Sequence, residues 1–145
     1  MDYNPTYLNL LTFISKRKES LCLESKLTIL THISNALRFL NYYKIVHMDL
    51  NPNNVLINDE YLPKIIDFGE SYLTKLVGPE FDVKKLYNPG YTIPYCPPEV
   101  FFKKTFDNRQ DAFSLGIIMF RVINDVLPYF PSDNVRNIYH QLNYH

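Results

Sequence analysis

The chain has 145 residues and 46% hydrophobic content, enough to bury the core of one domain and to exclude wholesale disorder. Fifteen basic and fifteen acidic residues cancel to a formal charge of zero, which gives no electrostatic case for nucleic acid or an anionic membrane as the main partner. Twelve Tyr and ten Phe with no Trp make the apolar content unusually aromatic, and such side chains mostly pack in cores and interfaces.

Pro5 to Ile14 reads as a short first helix, ending near Lys16-Arg17-Lys18-Glu19, a solvated helix end rather than a binding patch. From Glu24 to Tyr43, Leu27, Leu30, Ile33, Leu37 and Leu40 recur at spacings of three and four, the stripe of a buried amphipathic helix. Strand-length apolar pieces follow: Ile45-Val46, Val55-Leu56-Ile57 and Lys64-Ile65-Ile66. Asn58-Asp59-Glu60 has turn chemistry and joins the last two into a small hairpin. Gly78, Pro79, Asn88-Pro89-Gly90, Pro94 and Pro97-Pro98 rule out a long regular element between residues 70 and 98, leaving a long functional loop. In the helix from Gln110 to Asn124, apolar residues go nearly all the way round, which predicts a central position. Pro128 and Pro131 stop it, and Ser132-Asp133-Asn134 can cap a last helix towards Leu142.

Cys22 and Cys96 are far apart, with no C-x-x-C pair or Cys/His cluster for zinc or iron–sulfur, and a reducing compartment fits them. The Met1-Asp2-Tyr3-Asn4-Pro5 start carries no leader pattern, and no segment approaches the roughly 18 apolar residues of a membrane span. A soluble, intracellular, cytoplasmic protein is the expectation.

Chemistry concentrates between His47 and Gly69. His47-Met48-Asp49-Leu50-Asn51-Pro52-Asn53-Asn54 has the spacing H-x-D-x-x-x-x-N before a strand, and Asp67-Phe68-Gly69 follows the next strand. Phosphoryl transfer needs divalent metal against the phosphate oxygens and a carboxylate that orients the acceptor hydroxyl and takes its proton. Asp49 suits the second task. Asn54 and Asp67, at the edges of one hairpin, can offer an amide oxygen and a carboxylate to magnesium, a hard cation that prefers oxygen. Each piece alone is an ordinary turn; their order, with a hairpin between, carries the signal.

These motifs resemble those of the eukaryotic-type protein kinases. Thr92-Ile93-Pro94-Tyr95-Cys96-Pro97-Pro98-Glu99 looks like the family's substrate-positioning loop, with Pro97 in place of the usual Ala, and Asp111-Ala112-Phe113-Ser114-Leu115-Gly116 looks like its central-helix motif. The resemblance implies a mainly α fold with a small β-hairpin, the C-terminal (large) lobe of a kinase-like fold. It implies Asp49 and Asn51 as catalytic residues, Asn54 and Asp67 as metal ligands, and Thr92 and Tyr95 as substrate-positioning residues. His47, Phe68, Gly69, Glu99 and Asp111 are implied to be structural, Asp111 as a buried carboxylate holding the catalytic-loop backbone. Met1 to Asn4 looks like the hinge that binds adenine, so Asp2, Asn4, Leu56 and Ile66 are the implied nucleotide contacts. The implied cofactors are ATP and Mg2+, and the implied partner is a protein substrate. Thr92 points to the serine/threonine class over the tyrosine class.

Departures from the family matter as much. No glycine-rich phosphate loop, strand lysine or partner glutamate is found, so residues 1–145 read as a partial kinase domain running from the hinge to the helix after the central one, with impaired nucleotide binding. Met48 replaces the Arg that pairs with a phosphorylated activation loop, so phosphorylation at Ser71, Tyr72, Thr74 or Tyr87 should not activate by that route. Asn51 replaces a lysine near the transferred phosphate. The chain ends at His145, before the family's last helices and the arginine that normally pairs with Glu99, and apolar surface left uncovered would favour association. Two other readings compete with the kinase enzyme: a non-catalytic kinase-like interaction module, and a small-molecule phosphotransferase of the aminoglycoside or choline type. The second shares H-x-D-x-x-x-x-N but lacks the Pro-Pro-Glu-like segment and the D-x-F-S-x-G helix. Neither a basic face with interleaved aromatics nor a membrane signal is present.

Overall fold

The structure, a computed structural model, describes residues 6–74, 92–103 and 109–128. The Asn9 side chain accepts the Thr12 N–H at 2.8 Å and caps helix α1 (Leu10–Lys16). Just before it, β1 (Leu8–Asn9) pairs antiparallel with β3 (Val55–Ile57), placing Leu8 opposite Ile57 and Asn9 opposite Leu56. The expected helix from Pro5 to Ile14 is therefore corrected: its front is spent on a strand, and the cap shifts the helix start to Leu10. Lys18 and Glu19 then lie exposed in a turn.

Helix α2 (Leu23–Tyr42) buries Ile29, Leu30, Ile33 and Leu37. Leu27, expected on that stripe, is 46% exposed. At 100° per residue it lies about 100° from the stripe's centre, whereas Lys26 falls on it. The Lys26 side chain is only 13% exposed, reaching Asp125. The helix stops where Lys44 takes a positive φ of 63°, and the chain enters β2 (Ile45–Val46).

The predicted hairpin forms, with its return strand β4 at Pro63–Ile65, one residue earlier than read from the sequence. Asn58 builds the turn: its side-chain oxygen accepts the N–H groups of Glu60 and Leu62. With β1 on its other side, β3 becomes the centre of a three-stranded sheet. A second antiparallel pair joins β2 to β5 (Tyr72–Leu73), opposing Ile45 to Leu73 and Val46 to Tyr72.

Two helices follow, α3 (Pro98–Lys103) and α4 (Arg109–Asn124). Helix α4 packs against α2 and contributes Ile117, Ile118 and Val122 to the same core as Leu10, Phe13, Ile33, Leu50 and Ile57. It is not surrounded on all sides among the described residues: Met119, Phe120 and Ile123 are about two-fifths exposed. Its buried face is polar at the start, with Gln110, Asp111 and Ser114, and apolar further along, with Ile117, Ile118 and Val122. The expected last helix, 132–142, lies outside the described residues.

Candidate active site

Asp111 sits in the first turn of α4 and is buried. Its carboxylate accepts the backbone N–H groups of His47 at 2.8 Å and Met48 at 3.2 Å, so a residue some 60 positions away fixes the start of the loop after β2. Burial pushes the Asp111 carboxyl above the usual aspartate range, against the opposing pull of those two N–H donors. Met48 itself is buried, with a φ of 76°, a backbone state that side-chain-bearing residues seldom adopt. His47 is fully buried; its Nε2 meets the Ile66 carbonyl at 2.9 Å and its ring lies 4.8 Å from that of Phe68.

From this anchor the loop presents Asp49. One carboxylate oxygen accepts the Thr92 N–H at 3.2 Å, and the other accepts the Asn54 amide at 3.0 Å. The Asn54 amide nitrogen also donates to the Asp49 carbonyl at 2.8 Å. Asn51, buried behind the loop, donates its amide to the Asp49 carbonyl and to the Thr92 hydroxyl, both at 3.1 Å, while its side-chain oxygen caps the 3-10 turn Pro52–Asn54 through the Asn53 N–H. The structure thus brings Asp49, Asn51, Asn54 and Thr92 into one hydrogen-bonded group. Buried Asn51, with its amide nitrogen bonded to groups of the loop and Thr92, supports the geometry of Asp49 rather than facing outwards.

Asp67 reaches the same place by another path. The Ile66 N–H donates to the Asn54 carbonyl at 3.0 Å, which sets the next residue beside the Asn54 turn. Asp67 has a φ of 63° and is exposed, and one of its oxygens accepts a long 3.4 Å bond from the Gly69 N–H. Its other oxygen and the Asn54 side-chain oxygen have no donor among the described residues. Two spare hard oxygens on one hairpin suit magnesium, and no group of three His, Cys, Asp or Glu side chains fit for a transition metal occurs among the described residues.

Other expected residues fall as follows. Leu56 and Ile66 are half-buried, Leu56 at the centre of the three-stranded sheet, while Asp2 and Asn4 lie outside the described residues, as does Tyr87. Phe68 is 42% exposed beyond its contact with His47. Glu99 is half-buried in the first turn of α3. Tyr95 is buried; its carbonyl accepts the Ser114 hydroxyl at 2.8 Å, its N–H donates to the Thr92 carbonyl at 2.8 Å, and its hydroxyl accepts an Arg121 N–H at 2.9 Å. Burial raises the Tyr95 phenol above its ordinary range, with Arg121 pulling the other way. Sequence reasoning missed Ser114 and Arg121 as holders of this loop. The available signal was Arg121 as the lone cation in the apolar run 117–123.

The protein kinase domain family model matches residues 3–144. The chain is 30% identical over 122 residues to the serine/threonine/tyrosine-protein kinase HT1 of Arabidopsis thaliana, covering 83% of this chain and 30% of that protein. It is 36% identical over 115 residues to an Aurora kinase of Dictyostelium discoideum, covering 79% and 28%. It is 33% identical over 127 residues to the serine/threonine-protein kinase PTK1/STK1 of Saccharomyces cerevisiae, covering 78% and 19%. The chain therefore spans less than a third of the length of each of these relatives.

Proposed function

Since the chain belongs to the protein kinase domain family, we propose that it carries the acceptor-side and metal-binding machinery for phosphoryl transfer to serine or threonine hydroxyls of a protein, on a unit equivalent to the C-terminal lobe of that fold. One arrangement carries the reading: Asp49 held at both carboxylate oxygens, by the Thr92 N–H and the Asn54 amide, beside the turn that presents Asp67.

The acceptor hydroxyl donates to the Asp49 carboxylate, which orients its oxygen and takes its proton as the phosphoryl group arrives. Asn51 and Asn54 prevent that carboxylate from turning away, by bonding its backbone carbonyl as well as its side chain. Thr92 couples the base to the segment 92–99, against which the substrate backbone would lie. Asn54 and Asp67 would hold magnesium with ATP, and the ion would supply charge neutralisation at the phosphate oxygens. Leu56 and Ile66 would form the apolar floor for adenine, and the backbone at Asp2 and Asn4, outside the described residues, would supply the hinge contacts. Met48, buried and without charge, offers no pairing to a phosphorylated loop, so activity would not depend on phosphorylation at Ser71, Tyr72 or Thr74 by that route.

Calorimetry of magnesium-dependent ATP binding, with Asp67→Asn as control, tests the metal half of this reading. ATP-dependent labelling of a generic protein substrate, with Asp49→Asn as control, tests the base. Binding lost in Asp67→Asn and labelling lost in Asp49→Asn are the expected results. Labelling unchanged by Asp49→Asn would overturn the assignment of the base; a chain that neither binds nor labels would favour a kinase-like interaction module.

A further inference from the structure

A cavity of about 250 Å³ opens between α1 and the end of α4, lined by Leu11, Ile14, Ser15, Lys18, Arg121 and Asp125. Its charge is unbalanced. Lys18 and Lys26 both lean on the single carboxylate Asp125, at 3.6 and 4.0 Å, while Arg121 has no carboxylate within ion-pair distance among the described residues. Arg121 spends one guanidinium N–H on the Tyr95 hydroxyl, and its remaining donors have no acceptor among the described residues. Among the described residues, three cations against one carboxylate leave a local excess of two positive charges on a chain whose formal net charge is zero.

The cavity is also wired to the site. Arg121 bonds the Tyr95 hydroxyl, the Tyr95 N–H bonds the Thr92 carbonyl, and the Thr92 N–H bonds the Asp49 carboxylate. Three hydrogen bonds therefore separate the guanidinium from the base. A half-buried guanidinium whose remaining N–H groups meet no acceptor among the described residues can act as a bidentate receptor for a carboxylate or a phosphoryl group, and Leu11 and Ile14 give it an apolar wall that strengthens the pairing.

We propose that this cavity is a substrate subsite in which Arg121, with Lys18 at the rim, selects an anionic side chain, carboxylate or phosphoryl, near the phosphorylated residue of the protein substrate. The proposal rests on the kinase reading for the presence of a peptide against residues 92–99, and a binding measurement separates the two, because it needs no turnover.

Four fluorescent peptides around a central serine, flanked by Glu, phosphoserine, Lys or Ala, would be titrated by anisotropy against the full chain, Arg121→Glu, Arg121→Gln and Asp49→Asn. The expected result is about tenfold tighter binding of the Glu or phosphoserine peptide than of the Lys peptide, abolished in Arg121→Gln and reversed in Arg121→Glu. Asp49→Asn should keep the preference even where labelling is lost, so a failed base assignment does not touch this result. Preference for phosphoserine alone would mark a subsite for already phosphorylated substrates, and preference for both a subsite for acidic sequences. Equal binding of all four peptides, or a preference that both folded Arg121 variants retain, would overturn the proposal. Should Arg121→Glu fail to fold by circular dichroism, Arg121→Gln and Lys18→Glu carry the test with the same expected direction.

Discussion

Two stretches of the candidate site are held in opposite ways. The loop from His47 to Asn54 is bound by distant residues: Asp111 on α4 holds two of its N–H groups, and Thr92 meets both Asp49 and Asn51. The turn from Asp67 to Ser71 relies mostly on itself, through the Gly69 N–H on Asp67 and the Ser71 N–H and hydroxyl on the Phe68 carbonyl. The first stretch is mostly buried and the second mostly exposed. Asp49, the proposed base, is therefore preorganised by the fold as a whole, whereas Asp67, the proposed metal ligand, stands on a local turn that could adjust to an ion.

Substitutions should break this contrast in a definite order. Asp49→Asn should cost transfer about 10³-fold, or about 4 kcal/mol in the barrier, with little change in thermal midpoint; rates and melting curves on the same preparation check both. Asp111→Ala strips two buried N–H groups of their acceptor and should cost about 3 kcal/mol of stability in urea unfolding. Asn51→Ala removes one amide bridging Asp49 and Thr92, and about 1–2 kcal/mol should be lost by the same measurement. Asp67→Asn should change stability by less than about 0.5 kcal/mol while abolishing magnesium-dependent nucleotide binding. If Asp67→Asn proved as destabilising as Asp111→Ala, the contrast between the two stretches would collapse.

Proton concentration sharpens the same contrast. Burial raises the Asp111 carboxyl above its unfolded value, so the folded state holds that proton more tightly. Between the unfolded and folded pKa values, stability from this group falls as pH rises and is greatest below both. The stability gap between the native chain and Asp111→Asn should accordingly narrow as pH climbs through the acidic range up to the raised folded value. Urea midpoints measured for both proteins across that range give the sign directly.

Asp49, Asn54 and Asp67 could be singled out from order alone, because the proposed base and metal roles demand fixed spacings, and the fold brings Asn54 within hydrogen-bond distance of Asp49. The helix carrying Asp111 was legible from its apolar run. What the sequence hid depends on tertiary choice. Leu8 and Asn9 carry no strand signal of their own and become β1 only because β3 has an open edge. Leu27 and Lys26 exchange the positions that hydrophobicity would assign them, since the lysine stem can lie along the core while its ammonium reaches Asp125. The all-round apolar pattern of 110–124 concealed a polar buried face, because Asp111 and Ser114 bond the loops that the helix holds and Gln110 is buried beside them. Arg121 stands out in the sequence as the lone cation of the run 117–123, but its role depends on where Tyr95 arrives.

The pairing of Ile45–Val46 with Tyr72–Leu73 closes the chain on itself, and the span between those strands contains Asp49, Asn51, Asn54 and Asp67. Thr74 reinforces the closure with its N–H on the Lys44 carbonyl at 2.8 Å. A clasp of this kind ties the ends of the enclosed segment together, so amide hydrogens of Ile45, Val46, Tyr72 and Leu73 should exchange together. Whatever prises Tyr72 and Leu73 from the clasp therefore frees the end of the segment that carries Asp67, without touching Asp67 itself.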